Sequence, residues 1–264
     1  MTMLSIEHVS VTFGAKPILR DITASLSSGG LIGLIGPNGA GKSTLIRTIV
    51  RLVDANAGQI AIDGTDISAI ARRDLARKIA YLPQSHDVHW PLDSFQLVAL
   101  GRLPHLTRFS ELSPGDDEAV RAALQTTDAA AFADRLVPTL SGGERARVLL
   151  ARALAIGAPV LLVDEPVTSL DPFHQLQIME LLRDIAHEGR LVIAVLHDLP
   201  LAARFCTRLL LLDRGRLISD GAPDTVLSQD NLRASYCVDG VYGSEAGESY
   251  VLPWRRLPSP SPPE

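Results

Sequence analysis

Cysteine is scarce in this chain: 264 residues contain only Cys206 and Cys237, far apart and without the spacing of a metal-ligand pair. A disulfide framework is therefore not what holds the fold together, and reduced thiols are expected. Long apolar runs are missing too. Leu191–Leu196 and Leu209–Leu212 are short, whereas a spanning helix needs about 20 apolar residues, so no segment is expected to cross a membrane. The opening MTMLSIEHVSVTFG lacks a basic stretch followed by an apolar one, so no signal peptide is expected. A basic excess is absent as well: 25 Lys and Arg against 30 Asp and Glu give a net charge of −5. That balance argues against a protein held to nucleic acid mainly by charge. What is present is ordinary for a globular chain, with 46% hydrophobic and 21% charged residues and no internal repeat. The mean hydropathy of +0.17 is slightly apolar, and the surplus must go into a core or a partner surface. The length allows one large domain or two small ones.

Alternation and turn residues predict strands over Leu4–Val11, Ile18–Leu26, Leu31–Gly36, Gln59–Asp63 and Ile79–Leu82. From about 85 to 155 the pattern turns helical, with Phe95–Arg102, Asp116–Thr127 and Gly143–Ile156 clearest and with Asp93 and Ser113 able to cap helix starts. Beyond that block, PVLLVDEP and LVIAVLHD read as strands, Pro172–His187 and Leu199–Cys206 as helices, and two short strands flank Asp213-Arg214-Gly215. Strands alternating with helices imply βαβ units and a mainly parallel sheet, with the helical block inserted between two such halves. The Pro/Ser-rich end, 257–264, is expected to be disordered.

The residues Gly36-Pro37-Asn38-Gly39-Ala40-Gly41-Lys42-Ser43 match G-x-x-x-x-G-K-[ST], with an apolar strand before and a helix after. Glycines let the backbone turn tightly so that amide N–H groups converge on phosphate oxygens, and the helix start adds its positive dipole end. Lys42 would reach the β- and γ-phosphates, and the Ser43 hydroxyl would ligate Mg²⁺. Phosphate binding by itself does not separate kinases, GTPases and ATPases.

A second apolar strand, Val160–Val163, ends in Asp164-Glu165. Next to a phosphate loop, adjacent acids can divide two tasks because side chains alternate along a strand. Asp164 would bind Mg²⁺ through water, and Glu165 would orient or deprotonate the attacking water. His197 ends another apolar strand, and the parallel arrangement would bring it near the γ-phosphate.

At Leu140-Ser141-Gly142-Gly143-Glu144 a second glycine motif appears. By itself it could be a helix start capped by Ser141. In order with the phosphate loop and the DE strand, it resembles the signature of ABC-type ATPase subunits, with LSGGE in place of the commoner LSGGQ. The resemblance covers residues 3 to 230. It implies an α/β P-loop NTPase core, a mainly parallel sheet flanked by helices, an N-terminal antiparallel β subdomain and an inserted α-helical subdomain. It further implies one ATPase domain over 3–240, the helical subdomain at about 85–155, and a C-terminal extension over 241–264. ATP and Mg²⁺ are the implied cofactors. Phe13 stands where the family stacks an aromatic ring on adenine. Gly36, Pro37, Asn38, Gly39, Ala40, Gly41, Lys42, Ser43 and Thr44 would cradle the phosphates. Gln84 matches the glutamine loop that contacts Mg²⁺ and the lytic water, His197 the switch histidine, and Asp171 the D-loop. Val167 stands where many relatives carry Thr. The family works as a sandwich dimer, so Ser141, Gly142, Gly143 and Glu144 would close over a nucleotide held by a second copy. Glu165, His197, Gln84 and Lys42 would carry the hydrolysis.

The stretch SFQLVALGRLPH, 94–105, resembles importer ATPases for iron–siderophore complexes, haem and vitamin B12. That resemblance implies two membrane-spanning permease subunits, a periplasmic or lipoprotein solute-binding protein met indirectly, a position at the cytoplasmic face of the membrane, and no nucleic acid. Trp90, Leu92, Phe95, Leu97 and Leu100 would supply part of the docking region or simply pack the helical block. Another solute, such as a metal ion or an amino acid, remains open. A non-transport ABC ATPase would call for two cassettes or a coiled-coil insertion, and a GTPase for an Asn-Lys-x-Asp motif; the chain has none of these.

Overall fold

A computed structural model describes residues 1–84, 91–107 and 111–258 of the chain. The first part runs β1 (Met3–Phe13), β2 (Lys16–Ser27), β3 (Leu31–Ile35), α1 (Lys42–Ile49), β4 (Ala57–Ile62), β5 (Thr65–Asp66), α2 (Arg72–Lys78) and β6 (Ile79–Leu82). The helical block holds α3 (Ser94–Ala99), α4 (Pro114–Thr126) and α5 (Gly142–Leu154). Then follow β7 (Val160–Asp164), α6 (Pro172–His187), β8 (Leu191–Val195), α7 (Leu199–Phe205), β9 (Arg208–Asp213), β10 (Arg216–Gly221), β11 (Val238–Glu245) and β12 (Glu248–Arg256).

Among the described residues the central sheet has the order β10-β9-β3-β8-β7-β6, parallel throughout except for the β9–β10 hairpin at its edge. Its inner strands read as unbroken apolar runs because both faces are covered. Alternate residues serve two cores: Leu31 and Ile35 of β3 face one, Ile32 and Leu34 the other. The second core lies under an antiparallel sheet of order β2-β1-β4-β5 and α1. The first takes in α3 to α7, so the helical block shares its core with the sheet.

The expected helices of that block form, started by their polar caps. Asp93 and Ser113 each make a capping box, with Gln96 and Asp116 as the reciprocal residues. The Gly-Arg-x-Pro-His element at 101–105 clamps the far end of α5. Arg102 Nη1 donates to the Ala155 carbonyl at 2.7 Å, and His105 Nε2 to that of Ile156 at 2.8 Å. Those carbonyls at a helix C-terminus would otherwise lack partners. Gly101 is glycine because a Cβ there would lie 2.2 Å from the Arg152 carbonyl oxygen. The Pro104 carbonyl accepts from both Arg73 and Arg77 of α2 at 2.8 Å, so one short segment ties α2 to the end of α5.

Arg102 Nε also meets Asp116 at 2.8 Å. The Ser113 hydroxyl, and then Arg102, hold the Asp116 carboxyl down at about 2. A depressed carboxylate stabilises the fold above its unfolded value and loses that contribution as pH falls through the folded one. Asp116→Asn should therefore destabilise the protein at neutral pH, and the deficit should shrink between about pH 4 and pH 2 in urea melts of both chains.

Three features were not foreseen. His197 lies beyond the end of β8, which stops at Val195. A helix forms over Arg72–Lys78. The C-terminal extension carries an antiparallel hairpin, β11–β12, whose Val251 is buried and whose Tyr242 hydroxyl donates to the Leu227 carbonyl. Trp90 and residues 259–264 of the Pro/Ser-rich end lie outside the described residues.

Candidate functional site

The phosphate loop joins β3 to α1 at the carboxyl ends of the parallel strands, where α/β sheets of this kind bind ligands. Its first glycine, Gly36, has φ +148, and a Cβ there would lie 2.1 Å from the Leu212 carbonyl oxygen. Only glycine permits that approach. The β9–β10 turn buttresses the loop from the side: the Arg20 N–H donates to the Gly215 carbonyl at 2.7 Å, and the Gly215 N–H to that of Ala40 at 3.0 Å. The first-turn amides of α1 lack intrahelical acceptors and open onto the cavity described next.

A cavity of about 550 Å³ is lined by Phe13, Asn38, Gly39, Ala40, Gly41, Lys42, Ser43, Thr44, Glu165 and His197, together with Lys16, Arg20 and Arg214. Phe13 is 53% exposed. It is thus a ring at the cavity wall and not a core residue. The Lys42 side chain is buried, and its ammonium donates to the carbonyls of Gly36 at 2.7 Å and Pro37 at 3.1 Å. Burial pulls its pKa below the usual lysine value, against the opposing pull of Glu165 and Asp164.

Two carboxylates with different surroundings sit together at the end of β7. Asp164 is fully buried and accepts from the Ser43 hydroxyl at 3.2 Å and from the Tyr81 hydroxyl at 3.5 Å. Desolvation raises its pKa, partly offset by the Ser43 hydrogen bond. Glu165 turns out of the strand with φ +54. Its carboxylate accepts from Gln84 Nε2 at 2.7 Å, the Thr168 hydroxyl at 3.1 Å and His197 Nε2 at 2.5 Å. Gln84, Glu165 and His197 are thereby gathered at one point beside Lys42 and Ser43. Thr168 belongs to this cluster and was missed: a lone Thr two residues past the DEP turn carries no periodic or spacing signal.

The signature residues and Asp171 do not line this cavity. Ser141 caps α5 and forms a capping box with Glu144, whose carboxylate also meets Arg135 Nη1 at 2.8 Å. The Ser141 amide, and then Arg135, hold the Glu144 carboxyl below its usual range. The helix-start reading of this motif holds, and the capped first turn leaves the amides of Gly142 and Gly143 without intrahelical acceptors. Asp171 caps α6. The signature and the start of α6 are neighbours, with a Cβ on Gly142 coming within 3.7 Å of Leu170. Of the expected docking residues, Leu97 is buried, Leu92 and Phe95 pack against the core, and Leu100 is 40% exposed.

Comparison with known proteins agrees with this geometry. A family model described as ABC transporter matches residues 19–168. The chain is 45% identical over 249 residues to a cobalamin import ATP-binding protein of Halobacterium salinarum, covering 94% of this chain and 62% of that protein. It thus spans under two thirds of that relative's length. It is 38% identical to an iron(3+)-hydroxamate import ATP-binding protein of Bacillus subtilis, covering 90% of this chain and 89% of that one. A bacterial ABC transporter cassette solved as a dimer superposes with a TM-score of 0.72 at 26% identity, over 83% of this chain and 98% of that one. With a phosphate loop, a DE strand end, a glutamine and a histidine converging on one carboxylate, and a relative matched over nearly its full length, the chain belongs to the ABC transporter family.

Proposed function

We propose that the chain is the ATP-binding and hydrolysing subunit of an importer for a metal chelate of the iron–siderophore, haem or cobalamin class. The observation that carries the ATPase part is the Glu165 carboxylate, hydrogen-bonded to Gln84, Thr168 and His197 at the mouth of the phosphate-loop cavity. The adenine stacks on Phe13, the phosphates take the loop amides and the Lys42 ammonium, and Glu165 orients and deprotonates the attacking water. His197 holds Glu165 and contacts the γ-phosphate. Ser43, Asp164 and Gln84 fit a magnesium ion: two hard oxygens already touch, and Asp164 is a buried carboxylate that a cation would offset. When bound, the ion would neutralise charge on the β- and γ-phosphates.

One phosphate loop leaves one side of the γ-phosphate open. We read the chain as half of an ATP-sandwich homodimer in which Ser141, Gly142, Gly143 and Glu144 of one copy, with Asp171, close over the nucleotide of the other. The dimeric cassette that it resembles supports this reading. The helices of about 85–155 form the arm carrying that signature. A transport role needs membrane-spanning partners: no helix among the described residues is long and apolar enough to cross a membrane. These partners would be two permease subunits, fed by a solute-binding protein and holding the chain at the cytoplasmic membrane face. Relatives that import cobalamin and iron hydroxamate support the solute class.

We assign the permease contact to a groove of about 350 Å³ lined by Leu52, Leu75, Ala76, Ile79 and Ile156, with Arg51 and Arg72 also in its wall. Leu52 is 66% exposed, so charge there costs little stability. Leu52→Glu should leave the melting temperature and ATP affinity of the isolated chain unchanged while weakening co-purification with the permease at least about tenfold. The import reading as a whole is tested by reconstituting the chain with its permease in vesicles and measuring ATP hydrolysis. A metal-chelate-loaded binding protein should stimulate it, and stimulation only by a bare metal ion or an amino acid would overturn the assigned solute class.

A further inference from the structure

His174 is the third residue of α6, in its first turn, and has no part in the reading above. Its ring lies over Gly143, in the first turn of α5: a Cβ on Gly143 would come within 2.0 Å of His174 Cδ2 and 2.5 Å of Nε2. The imidazole is not free to swing away. Its Nδ1–H donates to Asp171 Oδ2 at 2.8 Å, its backbone N–H donates to Asp171 Oδ1 at 3.1 Å, and Phe173 packs edge-on against it at 5.3 Å. Gly143 is buried, and the His174 side chain is three-quarters covered. One ring thus occupies the space that any side chain at Gly143 would need, while being held by the residue that caps α6.

We propose that His174 is a positioning residue that locks the first turn of α5 to the start of α6, so that Ser141–Gly143 and Asp171 meet a partner's nucleotide as one rigid edge. The proposal rests on the sandwich reading of the dimer. Both elements it joins reach toward the same partner in that reading, and neither touches the nucleotide held by its own chain. Loss of the ring therefore loosens the closing surface without touching Phe13, the phosphate loop or Glu165. Filling Gly143 does the opposite, because an added methyl collides with an anchored ring in a packed contact.

A double-mutant cycle reads this coupling. The four chains are wild type, His174→Ala, Gly143→Ala and the double variant, each with and without Glu165→Gln. Monomer affinity for Mg-ATP is measured by fluorescence titration, ATP-driven dimerisation by light scattering in the Glu165→Gln background, and kcat in the Glu165 background. His174→Ala should lower kcat about fivefold and raise the ATP concentration for half-maximal dimerisation about as much, with monomer affinity unchanged. Gly143→Ala should be worse by about another fivefold, and the double variant should recover to the level of His174→Ala. A Gly143→Ala defect of equal size with and without His174 overturns the proposal. Should Gly143→Ala fail to fold, His174→Gln carries the test. An amide that can still bond Asp171 should restore at least half of the lost kcat, and equal kcat for His174, Ala and Gln overturns the proposal. Failure of the parent Glu165→Gln chain to dimerise while binding ATP would instead refute the sandwich, and the kcat cycle still decides His174.

Discussion

Glu165→Gln should bind Mg-ATP with near wild-type affinity, accumulate as an ATP-bound dimer and lose hydrolysis by about two to four orders of magnitude. The reasoning starts from the strand end. Asp164 points into the core and meets Ser43, while Glu165, in a left-handed backbone conformation, carries its carboxylate to the cavity. Three donors hold that carboxylate: Gln84, Thr168 and His197. An amide keeps the size and one acceptor oxygen, so the site stays assembled. It cannot accept a proton from water at neutral pH, which removes general-base catalysis alone. Steady-state phosphate release and light scattering with ATP measure the two halves of the claim. Hydrolysis within about threefold of wild type would mean that the base lies elsewhere.

Lys42→Met is the second large effect and acts earlier, on binding. The Lys42 ammonium is desolvated, which lowers its pKa against the opposing pull of Glu165 and Asp164, and it donates to the loop carbonyls of Gly36 and Pro37, where the phosphates would sit. Charge-assisted contacts to phosphate contribute about 1.5–3 kcal/mol each, so Mg-ATP affinity should fall about 100-fold in a fluorescence titration. Folding should not suffer, since replacing a desolvated cation by an apolar chain of similar length removes a penalty. The carbonyls of Gly36 and Pro37 lose a donor, but the cavity mouth leaves water to replace it. A melting temperature at or above wild type, with binding lost, is the expected pair of results. Retained affinity would show that the amides alone hold the phosphates.

Much of this was legible in the sequence, for local reasons. The inner strands read as strands because a sheet covered on both faces needs continuous apolar residues. Helix starts were legible because Asp93, Ser113 and Ser141 satisfy amides within their own first turn. The loop Gly36–Ser43 was legible because phosphate binding by backbone constrains residue type at fixed spacing. By contrast, α2 is six exposed or half-buried residues around a single buried Leu75, too few for an apolar period to show. The β11–β12 hairpin hides its alternation behind a register shift beside Pro253, and that strand is tolerated only as one of two edges.

By itself, then, the sequence determined which short segments would be strand, helix or phosphate loop, and which residue types could do phosphate chemistry. Tertiary structure decided who meets whom. Ser43 reaches Asp164 across 121 positions of chain because β3 and β7 both flank β8. The same ordering of strands brings Gln84 and His197, from two other loops, onto the Glu165 carboxylate. Thr168 joins them, Arg102 finds the end of α5, and His174 settles on Gly143 for the same reason. Such contacts depend on strand order and packing over long sequence separations, and no local period or spacing encodes them.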